Sequence, residues 1–223
     1  MRTRAFSVHV LVFDEVDLLD VTGILHVLSE AGRHYNFRPY RVTLVGEAGR
    51  RVPTRAQTSL LCEPLPPSDK ASEILVIPGG YGARRALDNP VILSWVAANA
   101  PRAEWSLAIG EGLLLLAKAT ALGSAKAVAS EDVARLLMDL APEVVLEPGA
   151  SVCFDGKLGT AKLSAHALDL ALELVSATLG ESFALRTAWA MGHRWAPLKA
   201  AVLRADPALE LISERKPRSG EQR

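Results

Sequence analysis

Three short segments of the chain carry carboxylates or glycines at spacings that could do chemistry. They are the acidic run at residues 14–20, the glycine-rich turn at 78–82, and Gly-Glu-Gly at 110–112. Each follows an apolar, β-branched stretch typical of a buried strand. Carboxylates can exchange protons, and glycine-rich turns can present N–H groups to an anion or a developing oxyanion. These segments could therefore catalyse acid-base chemistry or bind a small polar molecule.

The third segment lies at a sharp strand-to-helix turn. The stretch from Glu104 to Gly123 runs through an apolar strand and Gly-Glu-Gly directly into a leucine-rich helix. Enzymes use such an elbow to present a nucleophile at its tip. Here the tip is Gly110, which enters strained backbone regions freely but carries no reactive group. The sequence therefore predicts an enlarged pocket with no nucleophile.

The alternation of apolar strands and helices predicts how these segments are positioned. Strands are expected at 7–14, 40–47, 73–80 and 104–110, and helices follow the first, third and fourth of them. This order indicates a mainly parallel sheet with helices on both faces. Because ligands of such sheets bind at the carboxyl ends of the strands, the three segments should meet at one edge.

The remainder of the chain predicts further short elements. A strand is expected at 125–130 and a helix at 131–142, followed by two hairpin turns at Pro148-Gly149 and Asp155-Gly156. A long helical region follows, with a break at Gly180. Residues 1–212 are therefore expected to form one domain, and the polar residues 213–223 a disordered tail.

Composition excludes several classes of function. Basic and acidic residues number 25 each, so the formal net charge is zero and no direct nucleic-acid binding is expected. No apolar stretch reaches the roughly 18 residues of a membrane span, and the first residues do not form a signal peptide, so a cytoplasmic protein is expected. Cys62 and Cys153 have neither disulfide nor metal-ligand spacing, and no cofactor or metal is expected.

Four segments in order resemble the DJ-1/PfpI superfamily, which has the class I glutamine amidotransferase-like fold. They cover residues 10–32, 74–97, 106–122 and 155–180. Within the superfamily they are most similar to the isonitrile hydratase-like and AraC-regulator N-terminal-domain-like branch. The resemblance implies a flavodoxin-like, doubly wound sandwich and a homodimer.

The resemblance also implies an altered site. The family's elbow carries a cysteine where this chain has Gly110, and Glu111 replaces a threonine or similar small residue. A histidine found in many members aligns with residues 129–131, which contain none. Asp20 matches the family's acidic residue after the first strand, and Gly79-Gly80 match the turn that supplies an oxyanion-hole amide. The expected pocket backbone is therefore Gly79, Gly80, Gly110 and Glu111, and thiol catalysis is expected to be lost.

The sequence allows two interpretations for each of the carboxylates of Asp20 and Glu111. Asp20 fits either a site carboxylate or an acidic residue in the first turn of a helix capped by Asp17. Glu111 could act as a replacement acid or base facing Asp20. It could also simply begin its helix, where the dipole favours a negative charge, and this second interpretation is favoured. Gly82 and Arg84 are further candidate ligand contacts.

These residues suggest three functions. The first is a catalytically degenerate DJ-1/PfpI-like protein that binds a small molecule or a protein partner at the elbow, with a regulatory role. The second is a hydratase-like or hydrolase-like enzyme that uses Asp20 and Glu111, with a water held by the amides of Gly80 and Glu111. The third is a structural partner in a hetero-oligomer.

Overall fold

A seven-stranded sheet forms the centre of the molecule. The structure, a computed structural model, describes residues 5–33, 37–47, 49–120 and 122–198, so the predicted tail at 213–223 lies outside the described residues. The strands are β1 (Phe6–Leu11), β2 (Tyr40–Gly46), β3 (Arg51–Pro53), β4 (Ser59–Leu61), β5 (Glu63–Pro64), β6 (Ile74–Ile77), β7 (Trp105–Ile109), β8 (Lys126–Ala127), β9 (Val145–Leu146), β10 (Val152–Asp155) and β11 (Leu158–Ala161). The central sheet has the order β10-β11-β7-β6-β1-β2-β5. All its neighbours are parallel except the β10–β11 hairpin.

Seven α-helices surround this sheet within the described residues. They are α1 (Leu18–Glu30), α2 (Tyr81–Ala86), α3 (Pro90–Asn99), α4 (Gly112–Ala119), α5 (Glu131–Leu140), α6 (Ala167–Leu179) and α7 (Glu181–Ala190). Helix α6 packs on α1 and α7, while α4 packs on α3 and α5. This arrangement confirms the predicted α/β fold with a mainly parallel sheet. None of the described helices is long and apolar enough to cross a membrane.

Local sequence signals explain where several helices begin. Asp17 caps α1 by accepting a hydrogen bond from the N–H of Leu19, as predicted. Asn89 caps α3 in the same way, and Pro90 takes the first helical position, where its missing N–H costs nothing. Gly180 separates α6 from α7 with a φ of 100°. These short-range signals were readable in the sequence.

Helix α4 is central to the core. Its four consecutive leucines, Leu113–Leu116, are all buried, as are all four residues of β6. Burying one such side chain stabilises a protein by about 1.5–3 kcal/mol. The helix that begins at the elbow is thus held on several sides by apolar contacts, which gives the elbow a rigid base.

One predicted turn differs from expectation. The predicted hairpin turn at Pro148-Gly149 is wrong, because β9 pairs in parallel with β8 in a separate two-stranded sheet instead of with β10. Only the second turn, at Asp155-Gly156, joins paired strands. Alternation of apolar residues shows that a strand exists but not which strand it pairs with. The irregular region at 49–70 contains the small antiparallel hairpin β3–β4 and the edge strand β5.

The segment after α7 folds back on α6. The His193 ring Nε2 lies 2.7 Å from Asp169 Oδ1, and the N–H of Leu198 donates to Glu173 Oε1 at 2.8 Å. Glu173 is only 6% exposed, and burial raises its pKa. We call residues 192–198 the strap.

Candidate functional site

The loops after four neighbouring strands meet at the carboxyl edge of the sheet. Strands β11, β7, β6 and β1 lie side by side in this order. They are followed by Ser164, by Gly110 with Glu111, by Gly79, and by Asp20 at the start of α1. We call these five residues the elbow site. They lie where parallel α/β sheets bind their ligands, at the carboxyl ends of the strands.

Asp20 is the buried carboxyl group of the elbow site. The residue is only 1% exposed, and its Oδ2 accepts a hydrogen bond from the Gly79 N–H at 2.6 Å. Its Oδ1 has no hydrogen-bond partner among the described residues. Asp17, and not Asp20, caps α1. Asp20 lies in the first turn of α1, as one interpretation expected, and its carboxylate also joins the start of this helix to the loop after β6.

Burial also changes the acidity of Asp20. Loss of contact with water raises its pKa to about 6, and the negative charges of Asp17 and Glu111 add to this rise. The Ser164 hydroxyl and the Gly79 amide oppose it. The Ser164 hydroxyl lies beside the carboxyl group, although no hydrogen bond of normal geometry joins it to Oδ1. A carboxyl group with this pKa can both donate and accept a proton close to neutral pH.

Glu111 faces Asp20 across Gly79. A Cβ atom built on Gly79 would lie 3.1 Å from Asp20 Oδ2 and also 3.1 Å from Glu111 Oε2. Because Asp20 Oδ2 and Glu111 Oε2 both lie 3.1 Å from this Cβ position, the distance between the two oxygens is at most twice 3.1 Å. Glu111 occupies the N-cap position of α4, but its side chain makes no capping hydrogen bond. Because its carboxylate is directed at Gly79, the favoured expectation that Glu111 only serves its own helix does not describe its position.

The two glycines of the elbow have different roles. Gly110 has a φ of 51°, and a Cβ built there would meet no described atom within 4 Å. A Cβ on Gly112 would lie 2.1 Å from the carbonyl oxygen of Ile77. Gly112 is thus needed for the close approach of α4 to β6, whereas Gly110 borders open space where a side chain would otherwise stand.

Two of the four backbone groups predicted to line an oxyanion hole are already engaged. The Gly79 N–H bonds Asp20, and the Gly110 N–H donates to the carbonyl of Ala161 at 3.0 Å. Both N–H groups therefore have a partner in this structure, and a pocket role for these two glycines stays a prediction. For Gly80 and Glu111 the role stays a prediction.

The predicted ligand contacts Gly82 and Arg84 have different surroundings. A Cβ on Gly82 would lie 1.7 Å from the Asp14 carbonyl oxygen, so this glycine allows α2 to approach the loop after β1. The Arg84 residue is exposed, whereas its neighbour Arg85 pairs with Glu15 at 2.7 Å. A ligand contact by Gly82 or Arg84 stays a prediction.

The cysteines lie away from the elbow. Burial raises the pKa of Cys153 to about 11, so this thiol is protonated at neutral pH. The Cys62 thiol donates to the carbonyl of Arg50. In the described parts of the chain, no group of three or more histidine, cysteine or acidic residues is arranged to hold a metal ion.

Sequence reasoning missed Ser164. It lies in a 3-10 turn, residues Ser164–His166, directly after β11. The position of β11 next to β7 is what brings this turn to Asp20. The sequence indicated that a strand ends just before Ser164. It did not indicate that this strand, β11, lies next to β7 in the sheet.

A model of the DJ-1/PfpI family matches residues 6–177. The chain belongs to the DJ-1/PfpI family. The matched region includes every residue of the elbow site. No protein with a curated description matches the sequence significantly.

Solved structures support the DJ-1/PfpI fold. DJ-1beta from Drosophila melanogaster shares 19% identity, with a TM-score of 0.72 over 86% of this chain and 100% of that one. An AraC family transcriptional regulator from Pseudomonas putida shares 20% identity, with a TM-score of 0.75 over 83% and 99% of the two chains. A THiJ/PfpI family protein from Pseudomonas syringae shares 18% identity, with a TM-score of 0.72 over 95% and 87%. At these identities the similarity establishes the fold alone.

Proposed function

We propose that this DJ-1/PfpI family member binds a small, uncharged polar molecule at the elbow site and performs no thiol chemistry there. The observation that carries the proposal is the open space at Gly110, next in sequence to Glu111, whose carboxylate meets that of Asp20 at Gly79. A ligand placed there would take the volume that a nucleophilic side chain would occupy. In this sense the site is catalytically degenerate.

The absence of a thiol follows from the side chains around the elbow. Nucleophilic cysteines need a lowered pKa, which helix N-termini and neighbouring cations supply. Gly110 offers no sulfur, and the pKa of Cys153 is raised instead of lowered. The chemistry left at the elbow is that of two carboxyl groups.

The carboxyl groups favour an uncharged ligand that can both accept and donate a hydrogen bond. Protonated Asp20 can donate to a carbonyl or hydroxyl oxygen, and the Glu111 carboxylate can accept from a hydroxyl or amide group. A negatively charged ligand would be repelled by Glu111 and by Asp17, whose charges both act on Asp20. Small hydroxyketones and hydroxyaldehydes have both functions, whereas simple aldehydes and isonitriles can only accept a hydrogen bond from Asp20.

Filling the space at Gly110 tests this proposal. Small aldehydes, hydroxyketones and aliphatic isonitriles would be screened with the full chain by thermal shift, followed by calorimetry on those that raise the melting temperature. We expect Gly110→Leu to abolish binding of any compound that the unaltered protein binds. Gly123→Leu is the matched control, because Gly123 has a φ of 55° and a Cβ there also meets no described atom. Retained binding by Gly110→Leu, or equal loss in both variants, would refute the proposal.

An acid-base enzyme is the second candidate, favoured by the pairing of Asp20 with Glu111 and by a pKa of about 6 for Asp20. For hydration of an isonitrile, Asp20 would protonate the terminal carbon while Glu111 takes a proton from the attacking water. The water oxygen bonds to the same carbon, and the resulting imidic acid tautomerises to an N-substituted formamide. Transfer of the proton from Glu111 back to Asp20 through solvent completes the cycle.

The enzyme candidate has its own test. Formamide formed from an aliphatic isonitrile would be followed by NMR with the full chain, the Asp20→Asn/Glu111→Gln double variant and Cys153→Ala. We expect turnover to be lost in the double variant and kept in Cys153→Ala. Turnover that survives loss of both carboxyl groups would exclude this mechanism.

Assembly and location stay proposals that rest on the family resemblance. A homodimer is expected, and light scattering coupled to size exclusion would measure it. A hetero-oligomer with an active relative would appear instead as a monomer that associates only when that relative is added. A cytoplasmic location is kept as a proposal on the grounds given in the sequence analysis, and a regulatory role is proposed from the resemblance to AraC-type regulators. The balanced charge favours a role without direct DNA binding. Specific DNA binding by this chain would contradict the last point.

A further inference from the structure

A second pocket lies at the same edge of the sheet, away from the elbow site. This cavity, of about 180 Å³, is formed by the loop after β1, the end of β2, the start of β3, and helices α2 and α3. No elbow-site residue lines it. A cavity of about 150 Å³ can hold a benzene-sized molecule. We call it the α2 cavity, and its size admits a small metabolite of similar bulk.

The α2 cavity combines charges of both signs. Its lining residues include the basic Arg50 and Arg85 and the acidic Asp14 and Glu47. Arg50 Nη2 lies 3.3 Å from the nearer oxygen of Asp14, and both side chains are about half exposed. Glu47 accepts a hydrogen bond from the Asn89 amide at 2.7 Å. An exposed ion pair such as Arg50–Asp14 is worth little, so a ligand can replace it.

Both arginines can bind a carboxylate without losing all their present contacts. The ion pairs of Arg50 and Arg85 each use the Nη2 atom of a guanidinium group that has five N–H donors. Paired N–H groups of this kind match the two oxygens of a carboxylate. The carboxylates of Asp14 and Glu47 supply the opposite charge on the same lining, which suits an ammonium group.

Apart from Asn89, the rest of the lining is apolar. Phe13, Val52 and Ile92 are buried side chains that line the cavity, together with Val12 and Ala86. An apolar portion of a ligand would gain free energy by covering this surface. A ligand with a carboxylate, an ammonium group and a short hydrocarbon side chain therefore matches all three parts of the lining.

We propose that the α2 cavity binds a free aliphatic α-amino acid of about the size of valine or leucine. Its carboxylate bonds Arg50 and Arg85, its ammonium group faces Asp14 and Glu47, and its side chain lies on Phe13, Val52 and Ile92. Because two basic and two acidic residues line the cavity, a ligand with a charge of only one sign is disfavoured. This site is independent of the function proposed for the elbow.

Calorimetry with the full chain tests the ligand class. The probes are L-leucine, 4-methylpentanoate, which lacks the ammonium group, and 3-methylbutylamine, which lacks the carboxylate. We expect L-leucine to bind, with each analogue at least about tenfold weaker, since each loses one set of charge-assisted hydrogen bonds. No binding of L-leucine at millimolar concentration, or equal affinity for an analogue, would overturn the proposal.

Neighbouring arginines on α2 provide a matched pair for locating the site. We expect Arg85→Ala to weaken L-leucine binding at least about tenfold and Arg84→Ala to leave it unchanged, because Arg85 lines the cavity and Arg84 does not. Asp20→Asn separates this site from the elbow and should also leave binding unchanged. Equal effects of the two arginine substitutions, or loss of binding in Asp20→Asn, would place the ligand elsewhere and refute the assignment. Circular dichroism would establish that each variant is folded.

Discussion

The elbow site and the α2 cavity lie at one edge of the sheet, but their aspartates differ in burial and in hydrogen-bond partners. At the elbow, Asp20 is buried, one of its oxygens has no partner among the described residues, and its pKa is raised to about 6. In the α2 cavity, Asp14 is about half exposed and pairs with Arg50. These two aspartates are only six positions apart. The comparison teaches that burial and the surrounding charges, more than residue type, prepare a carboxyl group for proton transfer.

The largest expected effect distinguishes Gly112, which allows α4 to approach β6, from Gly110, which borders open space. We expect Gly112→Ala to lower the free energy of unfolding by about 3 kcal/mol or to prevent folding, because the new Cβ would collide with the carbonyl of Ile77. Gly110→Ala should cost only about 1 kcal/mol, the price of a left-handed backbone. Urea denaturation measures both, and similar losses would mean that Gly110 does not border open space.

Replacing Asp20 tests whether its burial is as unfavourable as the comparison implies. The folded-state pKa of about 6 exceeds the ordinary 3.8, so stability falls as pH rises from about 4 to 6 and stays lower above. We expect Asp20→Asn to raise the free energy of unfolding by about 3 kcal/mol at pH 8 and to change it little near pH 4. Denaturation curves at the two pH values measure this.

The exposed counterpart Asp14 gives the control for that measurement. Asp14→Asn should change stability by no more than about 1 kcal/mol, since it removes only an exposed ion pair. If Asp20→Asn stabilised the protein equally at pH 4 and pH 8, the raised pKa of Asp20 would not be the cause.

A smaller effect concerns the coupling of the two elbow carboxyl groups. Glu111 raises the pKa of Asp20 through its charge, although burial contributes more. We expect Glu111→Gln to lower the pKa of Asp20 part of the way toward its ordinary value, measured by carbon NMR of the carboxyl group across a pH titration. Glu131→Gln, on the exposed start of α5, should leave that titration unchanged. An unchanged Asp20 pKa in Glu111→Gln would show that the two groups do not interact.

The smallest effect belongs to the rim of the α2 cavity. Arg85 and Glu15 form an ion pair whose side chains are 64% and 47% exposed. Arg85→Ala should therefore lower the free energy of unfolding by less than about 1 kcal/mol, and Arg84→Ala by no more. Thermal denaturation of both variants measures this. If Arg85→Ala lowered the free energy of unfolding by several kcal/mol, Arg85 would stabilise the fold and would not be available to bind a ligand.

Short-range patterns predicted most of the sheet and helices. The apolar strands ending near Asp14, Gly79 and Gly110 were readable, as were the Asp17 cap and the break at Gly180, because each depends on neighbours in sequence. The partner of β9 was predicted wrongly because strand pairing is a long-range property. The fold class followed from the alternation of strands and helices and from the order of four family-like segments.

The candidate site was predictable only in part. Asp20, Gly79 and Glu111 were all named from the sequence, but the direction of Glu111 depends on how the ends of β6 and β7 face each other. Ser164 was missed because it reaches Asp20 only through the register of β11 with β7. The α2 cavity was missed because its lining comes from segments far apart in sequence.

The strap determines where the chain can be shortened. The family match ends at residue 177, but the strap covers α6 up to Leu198 and supplies a backbone donor to the buried Glu173. A fragment cut at the end of α6 would open that carboxyl group to water and remove the partner of Asp169. A shortened version for expression, crystallisation or fusion to a reporter must therefore keep at least the residues through Leu198.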